Sequence, residues 1–144
     1  MIANSAGIGT YVNSTGSAAA KVLLDRVSVE NSLTGMLFSG TGTTGAIVAT
    51  VRDSVASGNT NGIAGQDSGT GSTKVVIDRS ASVNNSVVGI KASNTLTNIR
   101  VGDSTVAGNA TGLSAVGSFL ISFGTNKMYG NGSDGAFTAT TTYK

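Results

Sequence analysis

Asp53-Ser54-Val55-Ala56-Ser57-Gly58-Asn59-Thr60-Asn61-Gly62-Ile63 returns further along the chain as Asp103-Ser104-Thr105-Val106-Ala107-Gly108-Asn109-Ala110-Thr111-Gly112-Leu113. A long stretch that recurs this closely marks a repeat architecture, so the search widens to weaker copies. Aligned on the acid, the copies start at Asp25, Asp53, Asp78 and Asp103, with Thr125 in that place in the last one. Six residues after each comes an amide: Asn31, Asn59, Asn84, Asn109 and Asn131. Both columns advance in steps of 28, 25, 25 and 22 residues. A Gly followed by an apolar residue closes each unit, at Gly35-Met36, Gly62-Ile63, Gly89-Ile90, Gly112-Leu113 and Gly135-Ala136, and Asn4-Ser5-Ala6-Gly7-Ile8 reads as the tail of an earlier copy. Six closures bound five coils.

Ahead of each Asp runs a short apolar segment, such as Lys74-Val75-Val76-Ile77-Asp78 or Ile99-Arg100-Val101-Gly102-Asp103, giving a second column of Leu23, Val51, Val76, Val101 and Phe123. Short β-branched segments between Gly and Asn corners suit strands. One coil of 22 to 28 residues cannot bury its own apolar side chains, whereas coils stacked about 4.8 Å apart share one continuous core. Parallel crossovers are right-handed in about 98% of cases. The expectation is therefore an all-β fold, a right-handed parallel β-helix of about five coils, in which like residues stack on like. Asn suits such a corner because it tolerates positive φ, and its amide can donate to the next coil. The Asn residues are read as a structural corner ladder. A helix over residues 17–34 is the competing reading. It is set aside because the aligned stretch 74–88 carries Val-Val-Ile followed by Ser and paired Asn, and copies of one repeat share a conformation.

The 144 residues form one domain, residues 1–144, with 119–144 as the last coil and C-terminal cap. Charged residues make up 11% and the net charge of +2 is scattered, which speaks against nucleic acid and anionic membranes as partners. With neither Cys nor His, disulfides, thiolate metal sites and imidazole general bases are excluded. The absence of Cys fits exported and cytoplasmic proteins alike. No apolar run approaches the roughly 20 residues of a membrane helix, and the start does not read as a signal peptide.

The string Asp-Ser-x-Val/Ala-x-Gly-Asn-x-Thr/Asn-Gly-Ile/Leu resembles the parallel β-helix repeat of the pectate-lyase-like superfamily. Nearly the whole chain, including Ile121-Ser122-Phe123-Gly124 and Gly130-Asn131-Gly132-Ser133-Asp134-Gly135, is similar to the C-terminal part of uncharacterised exported bacterial β-helix proteins. The resemblance implies an exported protein and longer relatives with coils upstream, relative to which this chain is N-terminally truncated. It implies no settled activity. Enzymes of the superfamily use calcium-binding acids with an Arg base, Asp clusters with His, or Asp pairs with Gln, Arg and Trp. His and Trp are absent here, and none of these sites carries over residue by residue.

Stacked carboxylates at Asp25, Asp53, Asp78 and Asp103 are the one candidate column for chemistry, since calcium sites and glycosidase acid pairs use such clusters. Like charges about 5 Å apart repel by roughly 1 kcal/mol in water and several-fold more at a protein surface. Arg26, Arg52, Arg79 and Arg100 lie close enough in sequence to offset them, which favours a structural charge ladder. Gly40-Thr41-Gly42-Thr43-Thr44-Gly45 satisfies GxGxxG but opens no helix, and Gly65-Gln66-Asp67-Ser68-Gly69-Thr70-Gly71 occurs once. Both read as loops, and no cofactor, metal or catalytic residue is assigned. Phe119, Phe123, Tyr129, Phe137 and Tyr143 lie late and are expected to plug the C-terminal end, whereas the first coil carries no plug, from which self-association through the uncapped N-terminal coil or a missing upstream segment is expected. The leading reading is a non-enzymatic structural or interaction module, polysaccharide-associated and self-associating. The alternative is a polysaccharide lyase or hydrolase using the Asp column.

Overall fold

The computed structural model describes residues 1–142. Its strands follow one another in rounds of three: β1 (Ile2–Ala3), β2 (Ile8–Asn13) and β3 (Ala20–Asp25); β4 (Ser28–Glu30), β5 (Thr34–Ser39) and β6 (Ile47–Arg52); β7 (Val55–Ser57), β8 (Asn61–Gln66) and β9 (Thr73–Asp78); β10 (Ala81–Val83), β11 (Val88–Ser93) and β12 (Thr97–Gly102); β13 (Thr105–Ala107), β14 (Thr111–Val116) and β15 (Phe119–Ser122). β16 (Lys127–Tyr129) and β17 (Ala139–Thr140) begin a further turn. Each strand pairs in parallel with its counterpart one round away, giving three sheets of six, five and six strands around one core. This is a parallel β-solenoid of about five turns, all-β among the described residues. The stretch 17–34 contains β3 and β4, not a helix.

Alternation decides which side chains fill the core. In β9, Thr73, Val75 and Ile77 are buried, while Lys74, Val76 and Asp78 point outward. Register then stacks Ala49, Val75, Ile99 and Leu120 in one inward file and Leu24, Val51, Ile77 and Val101 in the next. The second sheet contributes Met36, Ile63, Ile90 and Leu113, and a neighbouring file in which Phe38 lies over Gly65 and Ala92. Phe38 is fully buried, and a Cβ at Gly65 would lie 3.1 Å from Ile99 Cδ1 and 3.2 Å from Thr97 Cγ2, so the missing side chain leaves room for Ile99 and Thr97. Burying each Val, Leu, Ile or Phe contributes about 1.5–3 kcal/mol.

The register corrects the alignment expected from sequence by one residue in alternate coils. Asp25 pairs with Arg52, Arg52 with Asp78, and Asp78 with Gly102, so the coils advance by 27, 26 and 24 residues. The proposed apolar column mixes the two faces: Val51 and Val101 face the core, whereas Leu23 and Val76 face out. At the first closure Gly9, not Gly7, stands beside Gly35, because Ile8 pairs with Thr34 and Thr10 with Met36. At the last, Thr111 bridges Ser133, so Gly135, at φ 68°, stands level with Leu113 and the regular winding ends there. Of the late aromatics, Phe137 packs on the core, but Phe119 and Tyr129 are 54% and 63% exposed. The plug is thus narrower than expected, and Tyr143 lies outside the described residues.

Candidate functional site: a charge checkerboard and a stepped corner

Where the third sheet turns into the first, the chain makes a sharp corner through a left-handed residue: Arg26 (φ 55°), Asp53 (φ 49°), Arg79 (φ 44°) and Asp103 (φ 47°). This conformation is uncommon for non-glycine residues, and stacking repeats it from coil to coil. Backbone bonds hold the four in line, Arg26 N–H donating to Arg52 O, Asp53 N–H to Asp78 O, and Arg79 N–H to Gly102 O. The four Asp residues therefore do not form one column. They divide between two adjacent files, Asp25, Arg52, Asp78, Gly102 and Arg26, Asp53, Arg79, Asp103, in which the sign of charge alternates along and across up to the uncharged Gly102.

Ion pairs follow from that placement. Arg52 reaches Asp25 at 2.9 Å and Asp53 at 3.5 Å; Arg79 reaches Asp53 at 2.9 Å and Asp78 at 2.7 Å; Arg26 reaches Asp25 at 3.4 Å. Arg52 and Arg79 grip Asp25 and Asp53 with two N–H donors each, the bidentate geometry a guanidinium favours. The hydrogen bonds from Arg52 hold the Asp25 carboxyl below its usual range, overriding desolvation, with Coulombic attraction to Arg52, Arg26 and Arg79 adding to them. Arg79 does the same for Asp53, and both guanidinium groups are pushed up in return. Arg100 stands apart, on β12 between Val76 and Ile121. A carboxylate fixed below its ordinary pKa is a poor general acid, and two oxygens already held by guanidinium have little capacity for a divalent cation.

Beside the charges runs a file of hydroxyls that the sequence reading did not single out. Ser54, Ser80 and Ser104 each accept from a backbone N–H of the preceding coil, those of Val27, Ser54 and Ser80, at 3.0–3.1 Å, and Asn126 completes the file by accepting from Ser104 N–H. At the next corner the amide file consists of Asn59, Asn85, Asn109 and Asn131. Asn59 Nδ2 donates to Asn85 Oδ1, Asn85 Nδ2 to Asn109 Oδ1, and Asn109 Nδ2 to Asn131 Oδ1, at 2.8–3.2 Å. Asn31 and Asn84 sit one position earlier, in left-handed conformation beside Gly58, Gly108 and Gly130. Ser32 holds the first place in the file, and its N–H donates to Asn59 Oδ1.

The third corner is built from loops of residues 14–19, 40–46, 67–72, 94–96 and 117–118, which shorten along the axis from the second coil on. Both glycine-rich strings fall here. The shortening leaves a ledge with a hollow of about 440 Å³, lined by Asp67, Ser68, Asn94, Leu96, Val116 and Gly117. Asp67 is 1% exposed, accepting from Gly69 N–H at 2.9 Å and from the Thr73 hydroxyl at 3.3 Å. It is a buried carboxylate outside the repeat, and no column marks it in the sequence. Compared with known proteins, the chain matches no family model, no curated protein and no solved structure.

Proposed function

We propose that this chain is a non-enzymatic β-solenoid module, structural or interaction-forming, polysaccharide-associated and self-associating. The observation that carries this reading is the checkerboard. Asp25, Asp53 and Asp78 each face a guanidinium at 2.9 Å or less, which supports a scaffold role for the residue set that would otherwise be the best candidate for chemistry. The test is a thermal-shift titration against calcium and a panel of acidic and neutral polysaccharides, with product release followed in parallel for the wild type and for Asp53→Asn and Asp78→Asn. The expected result is no product from any glycan, and substitutions that shift melting alone. Product formation lost in Asp53→Asn or Asp78→Asn would overturn it in favour of a polysaccharide lyase or hydrolase using these acids.

A further inference from the structure

At the third corner six residues join β8 to β9, three join β11 to β12, and two join β14 to β15. The six-residue loop overhangs its shorter neighbours, and the hollow opens beside it. Backbone bonds fix its walls: Asn94 N–H donates to Val116 O at 2.9 Å, Thr73 N–H to Leu96 O at 3.1 Å, and Thr97 N–H to Asn94 O at 3.1 Å. Asp67 anchors the overhanging loop through Gly69 N–H and the Thr73 hydroxyl. Two kinds of side chain meet in this hollow. Leu96 and Val116, on adjoining coils, are 40% and 62% exposed. Ser68, Asn94 and Thr95 are exposed too, and their side chains make no hydrogen bond among the described residues. Apolar contact area beside a few polar groups is the makeup of a small-molecule site, and the 440 Å³ of the hollow lies within the usual range of about 300–1,000 Å³.

We propose that this hollow binds a neutral sugar unit of a polysaccharide, the C–H face of the ring lying on Leu96 and Val116 and its hydroxyls exchanging hydrogen bonds with Ser68, Asn94 and Thr95. This rests on the polysaccharide-associated reading above and gives it a site. A pyranose matches the lining because it carries an apolar C–H face and a rim of hydroxyls on one small body. Hydroxyl and amide side chains suit that rim, since each both donates and accepts. Charge selects against an acidic sugar. No Lys or Arg lines the hollow, and the one ionisable side chain there is Asp67, so a uronate would bring a second negative charge beside the first with no cation to offset it. A divalent cation finds too few ligands: Asp67 already accepts two hydrogen bonds, and among the described residues no three of His, Cys, Asp or Glu come together. Walls already held by backbone bonds spare the ligand the cost of ordering them.

The experiment titrates the isotope-labelled full chain with a panel of neutral disaccharides of glucose, galactose, mannose and xylose, and with digalacturonate as the acidic comparator, following backbone amide shifts by NMR. Three variants accompany the wild type. Asn94→Gly removes the amide at a position whose φ of 72° glycine accepts. Val116→Glu puts a charge on the apolar side, and Val48→Glu, on the exposed face of the third sheet, is the control. At least one neutral disaccharide should shift Ser68, Asn94, Thr95 and Val116 saturably, with Kd weakened about tenfold in Asn94→Gly and Val116→Glu and unchanged in Val48→Glu, and with digalacturonate about tenfold weaker or worse. Absence of saturable shifts at these residues, binding kept in Asn94→Gly and Val116→Glu, or digalacturonate bound as tightly as the neutral sugars would each overturn the site. A polysaccharide that raises the melting temperature of wild type and Val116→Glu alike would leave the association standing and exclude the hollow as its place. Product release bears on the non-enzymatic reading alone.

Discussion

Removing the Asn85 side chain tests the amide file where it is most buried. Asn85 is 1% exposed; its Oδ1 accepts from Asn59 N–H at 3.0 Å and from Asn59 Nδ2 at 3.2 Å, and its Nδ2 donates to Asn109 Oδ1 at 2.8 Å and to Ser82 Oγ at 3.2 Å. In Asn85→Ala, Asn59 Nδ2 still has Val29 O, and Asn109 Oδ1 still has Asn85 N–H. The Asn59 backbone N–H is left with nothing. One orphaned buried donor costs about 1–3 kcal/mol, and the lost amide bonds and the small void bring the expected total to about 2–4 kcal/mol. That is a large share of a domain stability of about 5–15 kcal/mol. Asn85→Asp should cost more at neutral pH, because an oxygen then faces Asn109 Oδ1, and should recover as acid restores a donor. Asn84→Gly is the control: Asn84 lies at φ 55° and, among the described residues, its side chain makes no hydrogen bond, so the change should stay within about 1 kcal/mol. Urea midpoints at constant slope give the comparison. A loss below about 1 kcal/mol in Asn85→Ala, or equal losses at the two positions, would refute the reasoning.

Gly62→Ala should destabilise by about 1–3 kcal/mol in the same assay, since the new Cβ would lie 2.6 Å from Gly89 O and 2.7 Å from Asn85 Nδ2. Acid should unfold the protein through Asp25 and Asp53, whose carboxyls are held low when folded. Their contribution is present above the ordinary carboxylate pKa near 4 and is lost as pH falls through the lowered folded values, so melting temperature should drop below about pH 4. Asp53→Asn should flatten that drop, and an unchanged slope would exclude Asp53 as a source. Because Arg79 is half exposed, 1 M salt should shrink the difference in melting temperature between wild type and Asp53→Asn. Asp67→Ala should cost about 1 kcal/mol by removing the acceptor of Gly69 N–H and of the Thr73 hydroxyl, read from the urea midpoint.

The fold was legible because it is written several times over. Val75 and Ile77 in one coil and Ile99 and Val101 in the next announce the same strand, and no single copy has to carry the inference. Asn59, Asn109 and Asn131 were found because their coils put the amide directly after a glycine. Asn31 and Asn84 misled because a left-handed corner accepts Asn as readily as Gly, so two adjacent positions both select the same residue type. Asp67 was not legible for the opposite reason. It lies in loops of unequal length, where the feature one coil away that marks it is Gly40, whose missing Cβ leaves room for the Asp67 carboxylate.

The acid columns misled for a reason that belongs to the physics of the stack. Aligning the coils on Asp places Asp25, Asp53, Asp78 and Asp103 in line, at a spacing of about 4.8 Å, and charges that close repel by about 1 kcal/mol in water and about 4 kcal/mol at an effective dielectric of 20. A one-residue slip of alternate coils sets Arg52 between Asp25 and Asp78, and Arg79 between Asp53 and Asp103, and those repulsions become attractions of similar size. The inward files favour the same choice, since a one-residue slip would turn Lys74 and Asp78 of β9 into the core in place of Val75 and Ile77. In a parallel stack the one-residue slip exchanges every inward and outward side chain, so whatever distinguishes the two registers fixes the whole coil. Here the buried apolar files do so together with Arg52 and Arg79, each held between carboxylates of two coils.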